Sequence, residues 1–327
     1  MADINLKDYD YHLPKELIAQ SVVELRDHCR LLVLGENVEH KKFFDVVDYL
    51  KAGDVLVLNE TRVEHCKLLA RKNTGAVLEL VLTKKIGGRR YETRIKGNKL
   101  RVGLEFTFGS NKGKIVQVQD DVFTIEVEKD LDEKDLMILT PPYIKSVVAE
   151  KDYQTIFARV PGSLAAPTAG LHFTMELLER IKAKGVKIAK IRLDISFETF
   201  LPVRDVSNHR TGKEYFIVDE ENAAIINSGP VVAVGTTVVK CLESCTWKDG
   251  KVVATAGDSQ IFIKPGFSFK APYKAMITNF HLPKSSLLLL TAAFAQRERL
   301  LVAYEEAVCE KYRFYSLGDA MMIFRHE

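Results

Sequence analysis

The sequence is poor in cysteine, and several common enzyme motifs are absent from it. Its five cysteines are scattered, and the only close pair, Cys241 and Cys245, has three residues between its members. A disulfide framework or a zinc knuckle is therefore not expected. Neither HxxxH nor HExxH occurs, so we predict no metal site. A Walker loop and a GxGxxG motif are also missing, which gives no support to a nucleotide hydrolase or a dinucleotide enzyme.

Signals for membrane insertion and export are missing as well. The longest apolar run, LLLLTAAFA at 287–295, is much shorter than the roughly 20 residues of a membrane span. The first residues, MADINLKDYDYHLPKE, lack the basic and apolar zones of a signal peptide. We therefore expect a cytoplasmic protein without membrane contact. With 327 residues and 46% hydrophobic residues, the chain is long enough for two domains of ordinary size.

The charge is unevenly distributed, although the net charge is only +3. From Arg62 to Lys114 there are 14 Lys and Arg residues against four Glu, a local balance of +10 that leaves −7 for the remainder. Such segregation is typical of a surface that attracts polyanions, including nucleic acids. A solvated face of a β-domain has the same composition, so both interpretations stay open at this point.

The basic region also has the residue pattern of short strands. AVLELVLTKK, RRYETRIKG, LEFTFG, GKIVQVQ and VFTIEVEKD alternate or are rich in β-branched and aromatic residues, and Gly-rich turns separate them. We predict a small antiparallel β-barrel at residues 62–150.

In both flanking regions, strands alternate with helices. RLLVLG and DVLVLNETR precede the barrel, VVAVGTT leads into VVKCLES, and AMITNF leads through HLPKSS into one long apolar helix that ends in RERLLVAYEEAVCEKY. This order is typical of an α/β domain with a mixed, mostly parallel sheet. The predicted architecture is a discontinuous α/β domain, residues 1–61 and 151–327, with the basic barrel inserted into it.

Polar residues follow the strands of this α/β domain, at the points where ligands bind in open sheets. They are Asn59, Thr61 and Arg62; Gly235, Thr236 and Thr237; and Asn279, His281, Lys284, Ser285 and Ser286. A further loop, AAPTAGLHFT at 165–174, carries His172 directly before a helix with Thr174 as its N-cap and Gly185 at its end. Thr and Ser before a helix are commonly only caps, but these loops can converge on one cleft.

Taken in order, the segments LNETRV, PPYIK, YQTIFARVPGSLAAPTAGLHFT, AVGTT, ITNFHLPKSSLLLL and YRFYSLGDAMMI closely resemble the S-adenosylmethionine:tRNA ribosyltransferase-isomerase family of queuosine biosynthesis. The resemblance spans nearly the whole chain and implies an inserted β-barrel. It also implies the transfer and isomerisation of the ribosyl part of S-adenosylmethionine onto 7-aminomethyl-7-deazaguanine at the tRNA wobble position. The products would be epoxyqueuosine, adenine and methionine. S-adenosylmethionine would be a consumed substrate without any cofactor, and a tRNA anticodon stem-loop would bind to a monomeric enzyme.

The implied reaction sets chemical demands. A base must remove a ribose C5′ proton that the sulfonium acidifies, and a donor must meet the departing adenine. His172 and His281 are the leading catalytic candidates, with Glu214 as a carboxylate base; a buried structural histidine is the alternative for each histidine. The residues expected to bind substrate are Pro167, Thr168, Gly170, Thr199, Phe200, Gly235, Thr236, Thr237, Asn279, Lys284, Asn59 and Arg62. The residues expected to bind RNA are Arg89, Arg90, Arg94, Lys96 and Lys99.

The sequence departs from the family pattern at several positions. The departures are Asp194 in place of a histidine, Ser196 and Glu198 in place of glycines, Gly212 in place of a histidine, and VEHCKL at 63–68 in place of a run like VIPARL. A divergent lineage with compensating residues would explain them. The alternatives are a relative that uses S-adenosylmethionine with another acceptor and a non-catalytic RNA-binding relative.

Overall fold

The computed structural model describes residues 4–325 except 147, 201–202, 204, 207 and 210. The chain divides into two compact units, one formed by the residues up to Arg62 together with those from Pro141 onward, and the other by Val63–Thr140. In chain order the strands are β1 Arg30–Leu34, β2 Val38–Lys42, β3 Val55–Asn59, β4 Thr61–Val63, β5 His65–Lys72, β6 Val77–Gly87, β7 Arg90–Lys96, β8 Glu105–Phe108, β9 Asn111–Gln119, β10 Val122–Val127, β11 Met137–Ile138, β12 Val160–Ser163, β13 Lys187–Leu193, β14 Glu214–Val218, β15 Val231–Val234, β16 Trp247–Lys248, β17 Lys251–Val252, β18 Thr255–Ser259, β19 Tyr273–Asn279 and β20 Ala320–Phe324. The α-helices are α1 Val46–Tyr49, α2 Met175–Ala183, α3 Glu220–Ile226, α4 Thr236–Ser244, α5 Ser286–Ala295 and α6 Arg297–Cys309. Short 3₁₀ helices are Leu6–Tyr9, Lys15–Leu17, Arg26–His28, Phe43–Asp45, Glu133–Asp135, Glu150–Tyr153, Thr168–His172 and Phe197–Phe200.

The discontinuous unit is built on a nine-stranded mixed sheet in the order β18-β14-β13-β3-β15-β19-β20-β1-β2. Its centre is parallel, because β13, β3, β15 and β19 run in the same direction. Beyond β19, the strand β20 is antiparallel and β1 runs parallel to β20. Antiparallel pairings of β2 with β1 and of β14 with β13 and β18 complete the edges. The parallel centre brings the carboxyl ends of β3, β13, β15 and β19 to one edge of the sheet.

Helices cover both faces of this sheet. Every residue of β3 and β15 is buried, as expected for central strands with helices on each side. Successive residues of β3 enter different cores: Val55 and Val57 pack with residues of α3 to α6, whereas Leu56 and Leu58 pack with residues of α1 and α2. The sheet is therefore the middle layer of three.

The helix boundaries follow local signals. Thr174 is the N-cap of α2 as predicted, because its Oγ1 accepts a hydrogen bond from the Leu177 amide at 3.2 Å. The prediction of one long C-terminal helix is wrong, since Gln296 at φ 68° separates α5 from α6. A residue in that conformation cannot continue a right-handed helix. None of the helices in the described part of the chain has the length and apolarity needed to cross a membrane.

The unit Val63–Thr140 is a closed antiparallel barrel with the strand order β5-β6-β7-β10-β9-β8, and β8 pairs back with β5. β11 extends the sheet beside β5. Alternate residues point inward, and Phe106, Ile115 and Ile125 are fully buried in the interior. Gly113 allows the Phe106 ring to pack against the backbone, because a Cβ there would lie 2.6 Å from that ring. The predicted fold class, an α/β protein with an inserted antiparallel barrel, is confirmed by this architecture.

Candidate active site

A cleft lined by both apolar and polar side chains opens in the discontinuous unit at the carboxyl ends of β15 and β19. It contains about 730 Å³ of space when its open mouth is included. The lining residues are Tyr143, Tyr153, Ala165, Ala166, Pro167, Thr168, Ala169, Ile195, Thr199, Glu214, Gly235, Thr236, Thr237, Lys240, Thr278, Asn279, Phe280, His281, Leu287, Tyr315 and Ser316. Of the residues predicted for the site, the cleft brings together Pro167, Thr168, Thr199, Glu214, Gly235, Thr236, Thr237, Asn279 and His281.

The N-terminus of α4 faces this cleft. Gly235 has φ 93° and accommodates the sharp turn from β15 into the helix, a conformation that disfavours other residues. In the described part of the chain, no side chain caps the helix. The Thr237 hydroxyl is buried and has no hydrogen-bond partner among the described residues. Free backbone N–H groups, the helix dipole and this hydroxyl together make a site for an anionic or electron-rich group.

A buried ion pair forms another wall of the cleft. Glu214 begins β14 and is only 2% exposed. Its Oε2 contacts the ammonium of Lys240 on α4, and its Oε1 accepts a hydrogen bond from Thr199 Oγ1 at 2.8 Å. The carboxylate therefore has a cationic partner in place. The prediction of Glu214 as a carboxylate base did not include this partner. Lys240 was missed from sequence, although its position four residues after Thr236 places both on one helix face.

His281 lies in the cleft lining, directly after β19. Its Nε2 is 3.0 Å from Thr278 Oγ1, its amide donates to Tyr304 Oη at 3.0 Å, and its carbonyl accepts from the Tyr11 hydroxyl. Burial lowers the pKa of His281 to about 3. The imidazole is therefore neutral near pH 7, so it can donate a hydrogen bond but does not store a proton as imidazolium.

His172, expected from the sequence to be catalytic, is not among the described residues that line the cleft. His172 lines a separate small cavity with Cys29 and Arg26, and the imidazole is 5% exposed. Its Nδ1 lies 3.1 Å from Cys29 Sγ, and its Nε2 lies 3.1 Å from Asn279 Nδ2. Asn279 is the residue that stands between this imidazole and the cleft. The buried structural histidine, the alternative weighed from sequence, describes this geometry better.

Three other residues predicted to bind substrate contact protein groups instead of lining the cleft. Asn59 is 1% exposed and joins β3 to β13, since it accepts from the Leu193 amide at 3.1 Å and donates to the Leu193 carbonyl at 2.9 Å. Lys284 forms an ion pair with Asp10 at 2.5 Å. Arg62 is half exposed and lies 3.8 Å from Glu150.

Gly170, another predicted position, is not among the described residues that line the cleft. At Gly170 a Cβ would lie 2.7 Å from the Phe157 ring, so its glycine serves close packing. The side chain of Phe200 and that of Glu198 lie outside the described part of the structure.

An aromatic wall of the cleft was not predicted. The Tyr143 and Tyr315 rings are nearly perpendicular, with centroids 3.8 Å apart, and the Tyr143 hydroxyl bonds to Ser316 Oγ. These residues stand in PPYIK and YRFYSLGD, segments that carried the resemblance without any assigned role. Tyr153 adds a third ring to the lining. Flat apolar faces of this kind suit stacking with a planar ring of a ligand.

The departure at Asp194 has side-chain partners within the protein. Asp194 accepts two hydrogen bonds from Arg192, at 2.9 and 2.6 Å, and one from Thr61 Oγ1 at 2.6 Å. The Ser196 amide lies 3.4 Å from Glu214 Oε1, a contact that glycine could also make, and the buried Ser196 hydroxyl has no hydrogen-bond partner among the described residues. Asp194 is therefore accommodated by a bidentate arginine, which favours compensated divergence.

Gly212, another departure from the family pattern, lines a small cavity beside the cleft. Gly212 and His209 line it together with Thr199, Glu214 and Lys240, which also line the cleft. Burial lowers the pKa of His209, whose ring packs 4.9 Å from that of Phe262. Glu214 and Lys240 therefore border this second cavity as well as the cleft.

The barrel displays several of the predicted RNA-binding residues on one strand. Arg90, Arg94 and Lys96 occupy alternate, outward positions of β7, whereas Tyr91 points into the barrel core. Arg90 Nε lies 2.9 Å from Glu126, which Lys114 also contacts at 3.1 Å. Arg89 donates to the Glu128 carbonyl. Lys99 is exposed in the turn after β7, at φ 53°.

The fold and the site define an α/β protein with a cleft at its strand ends and an inserted antiparallel barrel. The chain belongs to the queuosine biosynthesis protein family, whose model matches residues 6–323. This confirms the family predicted from the sequence.

Individual relatives agree over the full length. The chain is 44% identical to an S-adenosylmethionine:tRNA ribosyltransferase-isomerase of Desulforamulus reducens and 44% identical to one of Staphylococcus saprophyticus, covering 98% of this chain and 100% of each relative. The crystal structure of the S-adenosylmethionine tRNA ribosyltransferase of Thermotoga maritima has a TM-score of 0.57 and 32% identity, and covers 97% of this chain and 100% of that one.

Proposed function

We propose that this chain transfers and isomerises the ribosyl group of S-adenosylmethionine onto 7-aminomethyl-7-deazaguanine at the wobble position of tRNA, giving epoxyqueuosine. The family and the full-length relatives of that name support the proposal. One structural observation carries it further: the uncapped N-terminus of α4, with the unpartnered Thr237 hydroxyl, opens into a cleft that also holds an ion pair and an aromatic wall.

The net reaction releases one proton. A bond forms between the aminomethyl nitrogen, which loses a proton, and a ribosyl carbon. The electron pair of the broken C5′–H bond forms a new bond within the ribosyl group. The carbon–sulfur electron pair leaves with methionine, and the glycosidic pair leaves with adenine, which takes up one of the two protons lost. S-adenosylmethionine is consumed, so the enzyme needs no further cofactor.

Each wall of the cleft has a distinct role in this proposal. The α4 N-terminus binds the methionine carboxylate or ribose oxygens, since its N–H groups and the Thr236 and Thr237 hydroxyls are donors. The aromatic wall stacks on the adenine. Neutral His281 donates to the departing base. Glu214 and Lys240 act as one proton-transfer pair: the Lys240 ammonium gives a proton to the Glu214 carboxylate, and the neutral amine that results can then accept a proton from the substrate.

The barrel takes the tRNA side of the reaction. Its basic residues Arg89, Arg90, Arg94, Lys96 and Lys99 contact phosphates of the anticodon stem-loop, while the target base enters the cleft of the α/β catalytic domain. The enzyme acts as a monomer in the cytoplasm.

The deciding experiment measures adenine release from S-adenosylmethionine, with and without tRNA that carries 7-aminomethyl-7-deazaguanine at the wobble position. Release that requires this tRNA is the expected result. Release without it would indicate another acceptor. Salt-dependent tRNA binding without release would indicate a non-catalytic RNA-binding protein, provided that a family relative is active in parallel.

A further inference from the structure

Four side chains form a continuous row of hydrogen bonds from the protein core to the cleft. Cys29 Sγ lies 3.1 Å from His172 Nδ1, and His172 Nε2 lies 3.1 Å from Asn279 Nδ2. Asn279 Oδ1 then lies 3.0 Å from Thr168 Oγ1. Cys29 and His172 are buried, whereas Asn279 and Thr168 line the cleft. The row therefore connects a buried imidazole with the substrate space through two intermediates.

The direction of every bond in the row follows from one carbonyl. Asn279 Nδ2 lies 3.5 Å from the Asp319 carbonyl oxygen, which can only accept, so the amide nitrogen must face Asp319 and His172. His172 Nε2 is consequently an acceptor, and the proton of the neutral imidazole resides on Nδ1, where it points to Cys29 Sγ. Asn279 Oδ1 is left to accept, and the Thr168 hydroxyl donates to it.

The surroundings of His172 maintain this arrangement. Burial, with Arg313 and Arg26 nearby, lowers the pKa of His172 to about 3, so the imidazole stays neutral at physiological pH. A protonated imidazole would point an N–H group at the N–H group of Asn279 and would break the row. Burial likewise raises the pKa of the Cys29 thiol, so no thiolate forms beside the ring.

This order determines what the substrate meets at Thr168. The single hydroxyl proton is used toward Asn279, so only the lone pairs of Oγ1 are free for the cleft. We propose that His172 is a positioning residue, which through Asn279 fixes the Thr168 hydroxyl as an acceptor for a hydrogen-bond donor of the bound substrate. The inference rests on the proposed function, because S-adenosylmethionine supplies such donors as ribose hydroxyls, an ammonium group and the adenine amine.

The proposal differs from general-base catalysis in what substitutions do. A glutamine at position 172 can place Oε1 near the position of Nε2 and accept from Asn279, although it cannot take up a proton. A leucine fills much of the same space but has no acceptor atom. His172→Gln should therefore keep adenine release within about threefold of wild type, whereas His172→Leu should raise the KM for S-adenosylmethionine about tenfold with little change in kcat.

Thr168 offers a matched pair at the other end of the row. Thr168→Val should raise KM as His172→Leu does, because it removes the acceptor, and Thr168→Ser should retain activity. The double variant His172→Leu/Thr168→Val should have the same KM for S-adenosylmethionine as either single variant, since both changes remove the same contact. The pH profile of kcat should be the same in His172→Gln and wild type.

Two results would overturn the proposal. One is a His172→Gln variant that is as inactive as His172→Leu, with the loss in kcat and not in KM. The other is a double variant in which the effects of the two single changes on KM add up. If His172→Leu fails to fold, Thr168→Val and Thr168→Ser decide the matter by themselves. If wild-type protein releases no adenine, the proposed function fails instead. Calorimetric binding of S-adenosylmethionine to the same variants then still tests the row.

Discussion

The cleft of the α/β unit and the outer surface of the barrel use charge in opposite ways. The side chains of Glu214 and Lys240 are 2% and 12% exposed, so water hardly screens their attraction. On the barrel, the side chains of Arg90 and Lys114 are 57% and 52% exposed, and both contact Glu126. Buried charges fix a geometry, because leaving either one alone is unfavourable. Exposed charges attract a polyanion without holding one arrangement, and salt weakens them.

The largest effect is expected at the ion pair of the cleft. Lys240→Met leaves the Glu214 carboxylate buried without its cation, which should destabilise the fold by about 3–5 kcal/mol and reduce adenine release at least about a hundredfold. The double variant with Glu214→Gln should regain most of the stability but no activity. Urea unfolding and adenine release measure both. A Lys240→Met protein as stable as wild type would show that the pair is as weak as those on the barrel.

The next largest effect concerns pH. The pKa of His172 and that of His281 are both lowered to about 3 in the fold, against about 6.5 for a free histidine. Between these values the unfolded chain binds more protons than the folded one. Stability is thus fully present above about pH 6.5 and declines as the pH falls toward 3, by about 1.4 kcal/mol per pH unit for each histidine.

The check is a comparison of urea unfolding at pH 7.5 and pH 5.5 for wild type and His172→Gln. Between these two pH values the free energy of unfolding should fall less in His172→Gln than in wild type, because the contribution of one of the two histidines is missing. Identical losses in the two proteins would mean that His172 titrates in the fold as it does in water.

A smaller and more selective effect is expected at Thr237. Its hydroxyl has no partner among the described residues, so Thr237→Val should leave the thermal stability equal to wild type or slightly higher. Binding of S-adenosylmethionine should nevertheless weaken about tenfold, because a substrate acceptor loses its donor. Thr237→Ser is the matched control and should bind normally. A stability loss in Thr237→Val without any change in binding would assign the hydroxyl to packing.

Much of the cleft could be predicted because its residues follow strands in recognisable loops. The turn from β15 through Gly235 into α4 and the end of β19 at Asn279 were located by local pattern alone. Lys240 and the tyrosines could not be found in this way. Lys240 is placed in the cleft by its pairing with Glu214 on another strand, and Tyr143 by its contact with Tyr315, 172 residues later.

His172 shows why composition misleads at buried sites. A histidine in a loop before a helix looks available for proton transfer. The local sequence gives no sign that Cys29 contacts one ring nitrogen and Asn279 the other. Burial is a property of the assembled sheet and its helices. The break at Gln296 is a similar case, since the residue pattern of α5 and α6 is continuous and only the backbone conformation separates them.

The smallest effect is expected on the barrel and compares two cations of one strand. Arg90 must give up Glu126 to contact a phosphate, whereas Lys96 is exposed and has no ion-pair partner within 4.0 Å among the described residues. Lys96→Gln should therefore lower the salt dependence of tRNA binding by about one unit of slope, and Arg90→Gln by less. Filter binding of tRNA over a range of salt concentrations measures both slopes. Adenine release at saturating tRNA should be unchanged in each variant, because neither residue belongs to the cleft. Equal slopes for the two variants would mean that Glu126 does not compete with the phosphate. A fall in adenine release at saturating tRNA would mean that the barrel residues affect the reaction itself and not only the binding of tRNA.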